Sequence, residues 1–224
     1  MKATLYIVAT PIGNLSDITL RALETFKRVD VIVCEDTRRT KILLDKYDIK
    51  KPLVSFHQHS KLQKVEQIVS DLKSGKSIAL VTDAGTPGIS DPGGILVAEA
   101  VKEGIKVEPI PGASALVTII SVAGIPMDKF LFLGFLPNKK GRETIFNQMV
   151  EYPFPVVFYE SPHRIIKTLE ALQAKCDGQI ILGRELTKQF EEILRGSVEE
   201  VLDQLKKSTI KGEFVVIYSR LTIK

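Results

Sequence analysis

Three short groups of residues in this chain have the types and spacing for chemistry. Glu35-Asp36-Thr37-Arg38 directly follows the apolar run 31–34. Acidic residues at the carboxyl end of a parallel strand face the ligand crevice of an open α/β sheet, where either carboxylate could accept a proton. The same positions also suit a helix start, with Asp36 or Thr37 as N-cap, and the two roles are compatible. Tyr159-Glu160-Ser161-Pro162-His163-Arg164 follows the run 155–159 and crowds a phenol, a carboxylate, an imidazole and a guanidinium onto one strand-to-helix turn. The third group is the bend 81–94, Val-Thr-Asp-Ala-Gly-Thr-Pro-Gly-Ile-Ser-Asp-Pro-Gly-Gly. It is too rich in Gly, Pro, Ser, Thr and Asp to continue a regular element, and it joins a strand pattern at 78–81 to helical spacing at 95–101. Such bends hold small ligands.

Other patterns carry less. Gly75-Lys76-Ser77 matches the tail of a phosphate-binding P-loop, but Ser70 stands where that motif needs glycine, and the segment runs from helix to strand. After the first strand, Pro11-Ile12-Gly13 replaces the dinucleotide fingerprint, which argues against ordinary NAD binding. His57-Gln58-His59 has no Cys or carboxylate partner nearby in sequence, so a solvated loop or substrate contact is expected there rather than a metal site. Lys139, Lys140 and Arg142, with Arg38, Arg39, Lys41 and Arg164, could grip a phosphate backbone.

The elements that must position these groups alternate. Strand patterns at 5–9, 31–34, 53–56, 78–81 and 106–110 each lead into a helical pattern, which predicts a largely parallel sheet covered by helices. Gly124-Ile125-Pro126 breaks the rhythm and is read as the domain boundary, giving an amino-terminal domain 1–124 and a carboxyl-terminal domain 125–224. In the second domain, strands are expected at 130–134, 155–159, 179–183, 191–194 and 213–219, and Ser161-Pro162 reads as a helix start with Ser as N-cap. Two strands near 179–195 lack a helix between them, so a mixed sheet is expected.

The 224 residues carry a net charge of only +4, so any nucleic acid would have to meet a local patch. No run reaches membrane-spanning length, and the amino terminus reads as a core strand rather than a signal peptide. Cys34 and Cys176 are expected to be reduced packing residues of a cytoplasmic protein.

Seven segments, in order along nearly the whole chain, resemble the tetrapyrrole methylase superfamily of S-adenosylmethionine-dependent (class III) methyltransferases. They are residues 9–15, 34–39, 82–94, 111–115, 134–137, 159–164 and 183–188. Within the superfamily they are closely similar to the ribosomal RNA small subunit methyltransferase I branch, which 2′-O-methylates a cytidine in the decoding region. The resemblance implies two α/β domains with the methyl donor in a cleft between them, usually in a homodimer. It also implies small-subunit RNA, naked or assembled, as the partner. Donor-lining positions carried over are Pro11, Gly13, Asp83, Ala84, Gly85, Thr86, Ile89, Gly112, Ser114, Ala115, Tyr159 and Glu160. Thr86 stands where the wider superfamily has an aspartate, so that aspartate's role does not carry over unchanged. Many relatives have a helical extension past the last strand; this sequence stops at Lys224, which bears on RNA affinity.

Physical reasoning agrees with these positions. Gly85, Gly88 and Gly112 permit close backbone approach, Ile89, Ala115 and Leu133 offer apolar contact for adenine, and helix starts near Gly94 and Ser114 suit a carboxylate. In-line methyl transfer to a ribose oxygen needs positioning and a proton acceptor. Glu35, Asp36 and His163 are the candidates, unranked, and no metal is required. Arg38, Arg39, Lys139, Lys140, Arg142 and Arg164 would hold RNA phosphates. The rival readings are a precorrin-type methylase acting on a macrocycle carbon and a non-catalytic module that binds donor or RNA.

Overall fold

Five apolar runs of the amino-terminal half pair into one sheet: β1 (Thr4–Val8), β2 (Val31–Cys34), β3 (Leu53–Ser55), β4 (Ile78–Leu80) and β5 (Lys106–Ile110). The order is β3-β2-β4-β1-β5 and every pairing is parallel. The computed structural model describes residues 3–57, 62–175 and 177–220. His59 and Cys176 lie outside the described residues.

Period-2 alternation sends each strand into two cores. Tyr6, Val8, Ile32, Cys34 and Ala79 pack against Ala22 and Phe26 of α1 (Leu20–Arg28) and Leu43 and Leu44 of α2 (Thr37–Lys46). Leu5, Val33, Ile78 and Leu80 face the other way, onto Val65, Ile68, Val69 and Leu72 of α3 (Leu62–Lys73) and Leu96 and Ala100 of α4 (Gly93–Lys102). The Cys34 thiol belongs to the first core; burial pushes it up, and it donates weakly to the Val54 carbonyl.

Strands β1 and β4 are neighbours whose chains leave toward opposite faces, β1 toward α1 and β4 toward α4. This is the switch point at which open α/β sheets form a crevice. Two backbone hydrogen bonds bridge it, Thr10 N–H to the Gly85 carbonyl at 2.9 Å and Gly85 N–H to the Thr10 carbonyl at 3.0 Å. The buried Thr10 hydroxyl adds a bond to the Thr82 carbonyl at 3.1 Å.

The second half builds α5 (Ala115–Ser121), β6 (Leu131–Phe135), α6 (Arg142–Glu151), β7 (Val156–Glu160), α7 (Ile165–Gln173), β8 (Gln179–Arg184), β9 (Glu192–Ser197), α8 (Val198–Lys206) and β10 (Phe214–Ser219). The sheet order is β6-β7-β10-β8-β9; β6 and β7 are parallel and the remaining pairings antiparallel, the mixed sheet anticipated above. Val156, Phe158, Ile180, Leu182, Val216 and Tyr218 meet α6, α7 and α8 in one core.

Two details differ from the sequence reading. The chain divides into compact units Met1–Ser114 and Ala115–Lys224, ahead of the break at Gly124, because α5 packs on the second sheet. Its Ile119 lies so close to Gly183 that a β-carbon there would sit 2.9 Å away. Helix α7 starts at Ile165 rather than at Pro162. Residues 162–164 form a turn closed by Arg164 N–H and Ile165 N–H on the Ser161 carbonyl, with Arg164 off the helical basin at φ −121°. Among the described residues, no helix is long and apolar enough to cross a membrane.

Replacing Thr10 by Val keeps the shape of the switch-point bridge and removes its hydroxyl, leaving the Thr82 carbonyl without that donor. The expected loss is about 1–3 kcal/mol in denaturant unfolding.

Candidate active site

Residues of the 82–94 bend take a conformation that few sequences allow. Gly85 and Gly88 have φ of 85° and 88°, and Ser90 follows at φ 64°. Gly85 also sits where three loops meet. A β-carbon on Gly85 would touch Ile12 at 3.4 Å and the Ala113 carbonyl at 3.6 Å, so the loops after β1, β4 and β5 interlock there. The Thr86 hydroxyl donates to the same carbonyl at 3.1 Å. Thr86, standing where the superfamily has aspartate, is thus a tie between loops.

Asp91 performs a function that the sequence reading missed. Its two oxygens accept from Gly88 N–H and Gly93 N–H, each at 2.7 Å. The start of α4, expected to receive a ligand carboxylate near Gly94, therefore already holds one of the protein's own. An Asp directly before Pro and Gly at a helix start was the available signal.

The loop after β2 meets this bend. A hollow of about 660 Å³ is lined by Glu35, Asp36, His57, Asp83, Ser90, Asp91, Pro92 and Ile95. Glu35 Oε2 accepts from the Thr82 hydroxyl at 3.1 Å and from Asp83 N–H at 3.4 Å. Asp83 Oδ1 in turn accepts from Asp36 N–H at 3.0 Å, and its other oxygen lies 3.4 Å from Arg39. The two adjacent carboxylates diverge sharply. Burial pushes Glu35 up, with added repulsion from Asp83 and Asp91. Asp36 is the N-cap of α2, accepting from Arg38 N–H at 2.8 Å, and the Arg38 guanidinium forks onto it at 3.0 and 2.7 Å. Those hydrogen bonds hold Asp36 down at about 2. A carboxylate so stabilised is a poor proton acceptor, and Glu35 is the better one.

The turn 159–164 lies in the second unit and is organised around a buried charge. Glu160 is 1% exposed. One oxygen accepts from Ser161 N–H at 2.9 Å and pairs with Arg164 at 3.1 Å; the other accepts from the Thr168 hydroxyl at 2.7 Å, with Arg142 at 3.9 Å. Arg164 also donates to the Leu136 carbonyl at 2.6 Å, and Arg142 to the Pro137 carbonyl at 3.1 Å and to Thr168.

These contacts bear on three expectations. The Glu160 side chain neutralises two arginines, which leaves its backbone as the part expected to line the donor. Arg142 and Arg164, expected on phosphates, are three-quarters or more buried and bind backbone carbonyls. Leu133 packs, partly buried, against the second core.

The remaining positions fall as follows. Pro11 and Gly13 follow β1, Asp83, Ala84 and Ile89 follow β4, and Gly112 and the buried Ser114 follow β5, all at one edge of the first sheet. Ala115 opens α5 in the second unit. Burial raises the half-buried Tyr159 phenol, which is hydrogen-bonded to the Leu116 backbone. His163 is exposed on its turn, and Lys139 and Lys140 are exposed on the loop before α6. Arg38 and Arg39 are exposed at the rim of the hollow. Among the described residues, no three His, Cys, Asp or Glu side chains converge as metal ligands.

Comparison with known proteins places this arrangement. Residues 4–202 match the family of Tetrapyrrole (Corrin/Porphyrin) Methylases. The chain belongs to that family. It is 50% identical over 224 residues to Ribosomal RNA small subunit methyltransferase I of Halalkalibacterium halodurans, covering 96% of this chain and 75% of that one. The protein of the same name from Thermotoga maritima is 46% identical over 216 residues, covering 96% of this chain and 97% of that one. Among solved structures, uroporphyrin-III C-methyltransferase from Thermus thermophilus complexed with S-adenosyl homocysteine superposes with a TM-score of 0.67. At 15% identity, over 96% of this chain and 97% of that one, it shares the fold.

In this methylase, truncating Glu160 leaves two enclosed guanidinium groups facing each other. Glu160→Ala is expected to cost about 3–5 kcal/mol in equilibrium unfolding, the range for breaking one side of a buried pair.

Proposed function

We propose that this methylase transfers the methyl group of S-adenosylmethionine to the 2′-oxygen of a cytidine in the decoding region of small-subunit ribosomal RNA. The observation that carries this reading is 46–50% identity, over 96% of the chain, to proteins named for small-subunit ribosomal RNA methylation. The neighbouring structure with S-adenosyl homocysteine supports the donor.

The loops present fit such a donor. Gly85 is buried with its backbone bound to Thr10, while the left-handed turn at Gly88 exposes backbone without a side chain, and Pro11, Gly13, Ile89, Gly112 and Ser114 share that edge of the sheet. Bound there, the donor supplies an electrophilic methyl group. The chain's own contribution is to orient the ribose and to take its proton. Glu35 is the acceptor: one oxygen is fixed by Thr82 and Asp83 N–H, and its burial gives it more basicity than a solvated carboxylate. Asp36 and Asp83 hold Arg38, Arg39 and the Glu35 loop in place.

Charge sorts the substrate. Four carboxylates line the hollow, so a phosphate is repelled from its centre while a hydroxyl is accepted. Arg38 and Arg39 at the rim, and Lys139 and Lys140 on the second unit, are the cations offered to the RNA backbone.

Mapping ribose methylation on small-subunit RNA, naked and assembled, after incubation with labelled donor tests the reading. Label in one decoding-region cytidine is expected; label only in a tetrapyrrole, or none, overturns it. Glu35→Gln should lower kcat by about 10²-fold or more, and Asp36→Asn far less. The acid limb of wild-type kcat/KM should lie above the ordinary glutamate value of about 4.3. Stability has a definite sign as well. A carboxyl raised by folding stabilises fully below its unfolded pKa, and that contribution is lost as pH rises through the folded one. Glu35→Gln should therefore melt higher than wild type at pH 7, the gap closing below about pH 4.

A further inference from the structure

Strand β6 contains a register error with a purpose. Phe132 pairs with Val157 of β7, but Phe135 pairs with Tyr159, so three steps along β6 match two along β7. The extra residue sits at 133–134, where Gly134 has φ 60°. Parallel strands rarely carry such a bulge, and bulges re-aim the side chain that follows. Leu131 and Leu133 pack against the core of the second unit. Unbroken alternation would send Phe135 into that core with them. The bulge turns it to the opposite face instead, 57% exposed, against the ring of Tyr159. The centroids are 5.5 Å apart, and Tyr159 also meets the ring of Phe132 at 5.1 Å.

The segment that follows is held rigidly. Arg164 and Arg142 clamp the carbonyls of Leu136 and Pro137, with Glu160 neutralising both. The same loop then exposes Lys139 and Lys140. An exposed aromatic set against the ring of Tyr159, at the start of a clamped loop that goes on to expose two lysines, has the chemistry of a single-stranded RNA contact: a π-face for a base and cations for its phosphates. The methyl donor carries no phosphate, so the lysines favour the nucleic acid as occupant.

We propose that Phe135 is a stacking platform for an unpaired nucleobase of the RNA substrate, turned outward by the Gly134 bulge and held there by the Glu160-Arg142-Arg164 clamp. The proposal rests on the RNA reading above and adds the residue that would grip a base.

The chain has no tryptophan, so Phe135→Trp places a single fluorophore at the platform. Titration with a single-stranded decoding-region RNA oligonucleotide should quench it, and S-adenosylmethionine alone should not. In turnover assays, Phe135→Leu should raise the KM for RNA by about 5- to 100-fold, with the donor KM moving less than twofold. Glu160→Gln, which keeps the volume but weakens the clamp, should raise the RNA KM in the same direction. An active wild type with an unquenched tryptophan and an unchanged RNA KM in Phe135→Leu overturns the platform and leaves the function standing. Quenching by RNA in a protein that methylates no RNA supports the platform and overturns the function. A fall in oligomeric mass of Phe135→Leu by sedimentation, with RNA KM unchanged, assigns the ring to a contact between copies and overturns the proposal.

Discussion

Thr10 and Gly85 exchange two backbone hydrogen bonds across the ends of β1 and β4, and nearly everything at the first-unit site hangs from that exchange. At this position the chain leaves two neighbouring strands toward opposite faces, so the loops would otherwise diverge and leave polar backbone unpaired. The bridge satisfies those groups and sets the bend at a fixed height above the sheet. From there Thr86 reaches the β5 loop, and Thr82 and Asp83 N–H reach Glu35 on the β2 loop. Four strand ends thus become one surface through hydrogen bonds of ordinary strength, each of which depends on the bend being where Gly85 puts it.

The second unit solves a comparable problem with charge. A carboxylate as enclosed as Glu160 survives only if paired, and two arginines with a threonine hydroxyl satisfy it. Those arginines spend their remaining donors on carbonyls of the loop before α6, so the buried pair determines the course of that loop. The first unit uses its acidic residues differently. Asp36 caps the start of α2 and Asp91 ties Gly88 N–H to Gly93 N–H at the start of α4, whereas Glu35 is left with raised basicity by the same burial that costs it solvation. Adjacent carboxylates therefore do unlike things because one is hydrogen-bonded to an arginine and the other is partly withdrawn from water.

Much of this was legible in the residues. Five strand patterns, each leading into a helical one, set the parallel sheet, the composition of 82–94 marked an irregular bend between strand and helix, and closely spaced strands without a helix announced a mixed second sheet. The ordered segments 9–15 through 183–188 pointed to the methylase family before any geometry was known. What failed to show was local chemistry between segments distant in sequence. Arg142 and Arg164 look like RNA contacts because sequence reports their charge but not that Glu160 and two carbonyls consume it. Leu133 gives no sign in sequence that it packs on the second core. The unit boundary was read at the loudest glycine and proline, while α5, ahead of them, packs on the second sheet.

The sequence by itself determined the periodicities, the positions that need glycine and the inventory of titratable groups, because each is a property of a residue and its near neighbours. Only the tertiary structure ranked those groups. Whether Glu35 or Asp36 is the better base depends on Thr82, Asp83 and Arg38 around them and on how much water each retains. Whether Phe135 points into the core or out of it depends on a single extra residue in the register of β6 against β7. Both are relations across the fold, set by pairing and burial, and a linear string of residues does not contain them.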